Sequence, residues 1–105
     1  MIRTTPYRLG ALGAAGILLA LMVPALAYTG QKLAGQAKVT ITQARETALK
    51  AHPGKVTDEE LERESGGSGL RYSFDIKNGS RTQEVGVDAA SGKVLENKTE
   101  GPHPD

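Results

Sequence analysis

The sequence predicts an α+β fold: one N-terminal helix packed on a small antiparallel sheet of three to four strands, preceded by a signal-peptide helix. Three observations predict it. Small apolar residues Ile41, Ala44, Ala48 and Ala51 recur at spacings of three and four, the period of one helix face. Leu70, Tyr72, Phe74 and Ile76 alternate with Arg71, Ser73, Asp75 and Lys77 ahead of Asn78-Gly79, the pattern of a half-buried strand entering a hairpin. Leu9 to Val23 is uncharged and rich in Leu, Ala and Gly, with Arg3 and Arg8 before it and Pro24-Ala25-Leu26-Ala27 after it, the layout of a secretory signal peptide.

Ala25 and Ala27 suit the narrow subsites of a signal peptidase, and Pro24 ends the apolar helix just before them. The expectation is cleavage after Ala27, with residues 1–27 as signal peptide and the rest working in the periplasm or outside the cell. The alternative is an uncleaved anchor, because the uncharged run reaches Gln31 and is long enough to cross a bilayer. A membrane is a partner only if that helix is retained.

Removing 27 residues leaves 78, enough for one small domain. The chain has no Cys, so disulfides, a thiol nucleophile and a Cys-based zinc site are excluded. Losing Arg3 and Arg8 changes 13 basic residues to 11, against 12 acidic ones. Clustered Lys and Arg, which phosphate-driven binding requires, are missing, so nucleic acid is not expected as a partner. The charge run Asp58-Glu59-Glu60-Leu61-Glu62-Arg63-Glu64 reads as the solvated face of a surface element, with an acidic docking stripe as the alternative.

Residues 28–38 lack apolar periodicity and read as a flexible lead-in. Thr40 followed by Gln43 makes a capping box for a helix over Ile41 to about Ala51, with Arg45, Glu46 and Lys50 turned away from its alanine stripe. His52 precedes Pro53, which disfavours helical angles, and Gly54 can take the left-handed conformation that closes a helix. Lys55 to Glu64 is ambiguous. Thr57 with Glu60 could cap a second helix, to which local propensity leans, whereas Val56, Thr57 and the following Gly-rich turn suit a strand.

If Asn78 and Gly79 are the central residues of a type I′ turn, Tyr72 faces Val85 and Leu70 faces Val87. Ser73 then faces Glu84, and Asp75 faces Thr82, on the other side of the sheet. The strand Thr82 to Asp88 runs into Ala89-Ala90-Ser91-Gly92, where Asp88 can bond the turn backbone and Gly92 supplies a positive φ. A short strand from Lys93 to about Lys98 follows. Residues 99–105 read as a disordered tail.

The stretch Glu84-Val85-Gly86-Val87-Asp88-Ala89-Ala90-Ser91-Gly92-Lys93-Val94-Leu95, with Gln43-Ala44, Pro53-Gly54 and Tyr72, resembles the PepSY domain over residues 39–98. The resemblance implies that Lys55 to Glu64 is a strand and that the sheet packs on the helix. It also implies a role in restraining or assisting peptidases, as in the propeptides of thermolysin-like metallopeptidases. With no protease domain expected in the same chain, such action would be in trans. The family brings no catalytic residues, and no enzyme activity and no cofactor are expected.

The residue inventory agrees with that expectation. His52 ends a helix, where a histidine complements the helix dipole. His103 lies in the tail, so the two make a poor metal site. Asp75 and Asp88 are better explained by the polar face and the turn than by acid–base work. The remaining way to bind is through a protein partner, at a sheet edge or on the polar sheet face that includes Arg71, Ser73 and Glu84.

Overall fold

The structure, a computed structural model, describes residues 27–101. The apolar N-terminal stretch and His103 lie outside the described residues. The elements are a 3-10 helix Gln31–Gln36, α1 (Ile41–Ala51), β1 (Lys55–Arg63), β2 (Leu70–Asn78), β3 (Arg81–Asp88) and β4 (Val94–Thr99). The strands form one antiparallel sheet in the order β1-β2-β3-β4, and α1 packs on one side of it, so the fold is α+β with four strands.

The capping box forms as the sequence predicts. The Gln43 N–H donates to the Thr40 hydroxyl at 3.1 Å, and the Thr40 N–H donates to the Gln43 side-chain oxygen at 3.0 Å. Ala44 and Ala48 have no exposed surface, which lets the helix backbone approach the sheet closely. Ala51 departs from the expected stripe and is exposed. The helix ends on the extended residue His52, whose N–H reaches the Ala48 carbonyl at 2.8 Å. Gly54 does not close the helix. A Cβ on it would lie 2.6 Å from the Lys77 carbonyl oxygen, so close passage past β2 is what requires glycine.

The charged segment is strand β1, as the family resemblance implies and against its local helix propensity. It pairs along its length with β2 and buries Leu61 to 1 % exposure. A helix there would have had a single apolar residue to dock, so tertiary pairing overrides local propensity. An irregularity between Val56 and Asp58 adjusts its register.

The hairpin register differs by two residues from the expected one. Asn78 pairs with Arg81, so Gly79 and Ser80 are the central turn residues, with Gly79 at φ +66°, a conformation that glycine supplies readily. Asn78 stays in the strand and donates from Nδ2 to the Pro53 carbonyl at 3.1 Å. Tyr72 therefore faces Val87, Phe74 faces Val85, Ser73 faces Gly86 and Asp75 faces Glu84. A shift of two conserves the faces. Tyr72, Phe74, Ile76, Val85, Val87, Leu61, Ala44 and Ala48 form the core, each large side chain stabilising it by roughly 1.5–3 kcal/mol. The Tyr72 hydroxyl satisfies itself on the Val39 carbonyl at 2.7 Å.

Residues 28–38, expected to be a flexible lead-in, carry more structure than their lack of period suggests. Thr29 bridges Glu60 in parallel, and its carbonyl accepts from the Leu61 N–H at 2.8 Å. Tyr28, Leu33, Ala34 and Ala37 pack against the core. Gly30 permits this, because its φ is +83° and a Cβ there would overlap the Leu61 carbonyl. At the other end, β4 runs to Thr99 rather than Lys98. The Glu100 N–H still bonds the Thr82 carbonyl at 2.8 Å. Val94 and Leu95 are both partly exposed, at 40 % and 37 %.

Candidate partner-binding surface

The helix and the apolar residues of the lead-in pack on the core side of the sheet. The opposite side is built by the alternate residues of all four strands, and its side chains fall into rungs across the sheet, with Lys77, Thr82 and Glu100 at the hairpin end and three more beyond them. The first is Asp58, Asp75, Glu84 and Lys98; the second is Glu60, Ser73, Gly86 and Glu96; the third is Glu62, Arg71 and Asp88. Arg71, Ser73 and Glu84 thus share one face, with Glu84 diagonal to Ser73. Acids dominate this face.

Diagonal contacts join the rungs. Arg71 is held between the Glu96 carboxylate at 3.4 Å and the Ser65 carbonyl at 3.2 Å, and its Nε is buried without a partner. Its reach depends on Gly86. A Cβ there would stand 2.9 Å from the Arg71 Cδ and 3.3 Å from the Glu96 Cβ, so the missing side chain lets the arginine lie across β3. The buried Ser73 hydroxyl donates to Glu62 at 2.7 Å. Lys98, its side chain 63 % exposed, contacts Glu96 at 2.9 Å.

Placing Asp75 directly opposite Glu84 crowds like charges, a destabilising arrangement when both are ionised. Both carboxyls hold protons more tightly than usual, chiefly because they are partly buried. Burial, followed by the nearby Glu96 and Glu100, pushes the Glu84 carboxyl up to about 7. Burial, followed by Glu100 and Asp58, pushes Asp75 up to about 6. Glu60 is also raised, by burial and then by Glu62 and Asp58. A carboxyl that keeps its proton near neutrality donates a hydrogen bond where an ionised one only accepts. The face therefore offers a mixed donor and acceptor array.

Asp88, at the end of the third rung, is 2 % exposed and does structural work. Its Oδ1 accepts from the Ser68 N–H and hydroxyl, both at 2.8 Å. Its Oδ2 accepts from the Ser91 N–H at 2.8 Å, the Ser91 hydroxyl at 2.9 Å and the Ala90 N–H at 3.2 Å. Burial alone would raise its affinity for protons, but the bonds from Ser68 and Ser91 outweigh it and hold the carboxyl well below the usual range. One carboxylate thus ties the Gly-rich β1–β2 turn to the β3–β4 turn. The next residue carries the tie onward, since the Ala89 carbonyl accepts from the Lys38 and Val39 N–H groups at 2.9 and 3.0 Å.

Among the described residues, no group of three or more His, Asp or Glu side chains is arranged to hold a metal ion. The closest approach to a nucleophile and base is Ser73 with Glu62, on a sheet face rather than in a cleft. His52 stands apart, half-buried at the end of α1. On the core side, Arg45 does not turn away as the helical wheel suggests. It pairs with Glu59 on β1 and borders a shallow groove over Ile41 and Val56.

Sequence reasoning missed Glu62, Glu96 and Glu100 as members of the polar face. The signal for Glu62 was present. Asp58, Glu60 and Glu62 alternate, and a strand reading puts all three on one side. Ser68 as a ligand of Asp88 has no local signal, because the contact spans two turns.

The family model described as peptidase propeptide and YPEB domain matches residues 38–98, more than half of the chain. No curated protein and no solved structure matches it.

Proposed function

The chain belongs to the PepSY family, and from that membership we propose that it is a non-catalytic binding module of the periplasm or cell exterior, which restrains or assists a peptidase or another envelope protein. The observation that carries the reading is the sheet face opposite α1. The Arg71–Glu96, Lys98–Glu96 and Ser73–Glu62 contacts hold part of it in fixed geometry, and no described helix or strand packs over it, the Gly-rich turn covering only the Arg71 and Asp88 end.

Rigid, pre-paired polar groups lose little entropy on binding, which favours specific recognition of a complementary surface. Arg71, Ser73 and Glu84 are the residues assigned to that surface. Glu84 supplies a hydrogen-bond donor or acceptor according to its protonation, while Arg71 and Ser73 keep the neighbouring carboxylates in place.

Export belongs to the same proposal. Cleavage after Ala27 leaves Tyr28 at the new N-terminus, just before the Thr29 bridge to β1. Among the described residues, no helix is long and apolar enough to cross a membrane. Mass spectrometry of the native protein is expected to find an N-terminus at Tyr28; an intact Met1 would instead make the protein a membrane-held accessory. For the binding role, the test is recovery of envelope proteins on the immobilised protein. Arg71→Glu together with Glu84→Lys is expected to lose the partner that the unaltered protein retains, and Glu84→Gln to weaken it. Undiminished recovery by the charge-reversed protein, with its fold intact by circular dichroism, would place the surface elsewhere.

A further inference from the structure

The two edges of the sheet are treated differently. The β1 edge is blocked at Glu60 and Leu61 by the Thr29 bridge. The β4 edge has no strand beside it among the described residues, and it carries the two exposed large apolar residues, Val94 and Leu95. Because the Glu100 N–H bonds the Thr82 carbonyl, alternation along the ladder turns the backbone groups of Glu96, Lys98 and Glu100 toward β3. Those of Asn97 and Thr99 turn outward. An unpaired edge of this kind is a template for another strand.

We infer that the strand which pairs there is β4 of a second copy, antiparallel and centred on Asn97. The order of charges carries this choice. A two-fold axis at Asn97 sets Glu96 opposite the other copy's Lys98 and Lys98 opposite its Glu96. These fall at non-hydrogen-bonded positions, where side chains stand closest. Asn97 meets itself at a hydrogen-bonded position, and the regular stretch Glu96 to Thr99 lies beyond the irregularity at Leu95. An axis at Glu96 or at Lys98 would instead put like charges directly against each other.

An edge lysine ordinarily discourages pairing, but here the arrangement supplies it with an acid from each side. Glu96 is already fixed by Arg71, and the exposed Lys98 reaches it within its own chain at 2.9 Å. Two copies would form one continuous eight-stranded sheet, with both helices on one side and both polar faces on the other. The proposal does not depend on the peptidase reading, and its test involves no peptidase.

The chain has no cysteine, so an introduced one is unique. In the full chain, Asn97→Cys is expected to form a disulfide-linked dimer under mild oxidation, since hydrogen-bonded antiparallel partners stand about 5.5 Å apart at Cα, within disulfide range. Thr99→Cys, two positions from the axis, is expected to stay monomeric. Adding Lys98→Glu to Asn97→Cys is expected to lower dimer yield roughly tenfold, as two favourable cross-strand pairs become repulsive. Ser91→Cys, equally exposed but off the edge, is expected to remain monomeric. Failure of Asn97→Cys to cross-link, equal cross-linking by Ser91→Cys, or self-cross-linking of Thr99→Cys in its place would overturn the proposal.

Discussion

Asp88 shows how one side chain can organise several turns. It accepts five hydrogen bonds from Ser68, Ala90 and Ser91, and hydrogen bonds to a buried charge are the stronger kind. Asp88→Asn keeps the shape but loses the charge and turns one acceptor into a donor facing other donors. It is expected to cost about 2–3 kcal/mol in urea unfolding. The carboxylates titrate in opposite senses. Asp88 binds protons less readily folded than unfolded, so its contribution is complete above its ordinary pKa near 4 and is lost as pH falls below that. Glu84 and Asp75 bind protons more readily folded, so stability falls as pH rises from about 4.5 through about 7. Unfolding free energy is therefore expected to peak near pH 4 to 5, on the order of 1 kcal/mol above its value at pH 7.5 after allowance for solvent screening. Glu84→Gln should flatten the alkaline limb, and a profile that instead rises from pH 5 to 7.5 would contradict the raised carboxyls of this face.

Among the elements, the helix was legible to the residue because its cap, its alanine spacing and its Pro stop are all local signals. The capping box contributes about 1 kcal/mol, and Thr40→Ala is expected to lose that amount in thermal or urea unfolding. Ala48→Leu is expected to cost about 1–3 kcal/mol, since the site has no exposed surface and no space beside the sheet. The strands were less legible. Alternation in Leu70 to Ile76 located β2 and its faces, but the exact turn depended on Asn78 bonding to Pro53, a contact across 25 positions that no hairpin rule contains. For β1, local preference pointed to a helix, the family resemblance implied a strand, and long-range pairing with the burial of Leu61 is the physical reason that the strand wins. Gly30→Ala is expected to detach the lead-in. Its signature would be faster amide exchange at Leu61, whose N–H bonds Thr29, with β2 and β3 little affected.

At the scale of the whole molecule, a modest core holds a four-stranded sheet whose second side is left polar. Arg71 and Ser73 were placed on that side from alternation and Glu84 from the assumed hairpin register, and parity preserved the assignment although the register moved by two. The acids around them were hidden because Asp58, Glu60 and Glu62 read only as a solvated face of a segment ambiguous between helix and strand, and Glu96 because the β4 register depended on an irregular pairing near Val87. The separation of a helix-covered side from a polar side is the feature on which the proposed partner binding rests. It is tested most directly by placing a photo-reactive residue in the cell at Asp58 or Lys77, exposed on the polar side, and at Glu46, exposed on the helix. The account predicts adducts with an envelope protein from Asp58 and Lys77 and none from Glu46. Adducts from Glu46 alone, or from none of the three positions, would contradict it.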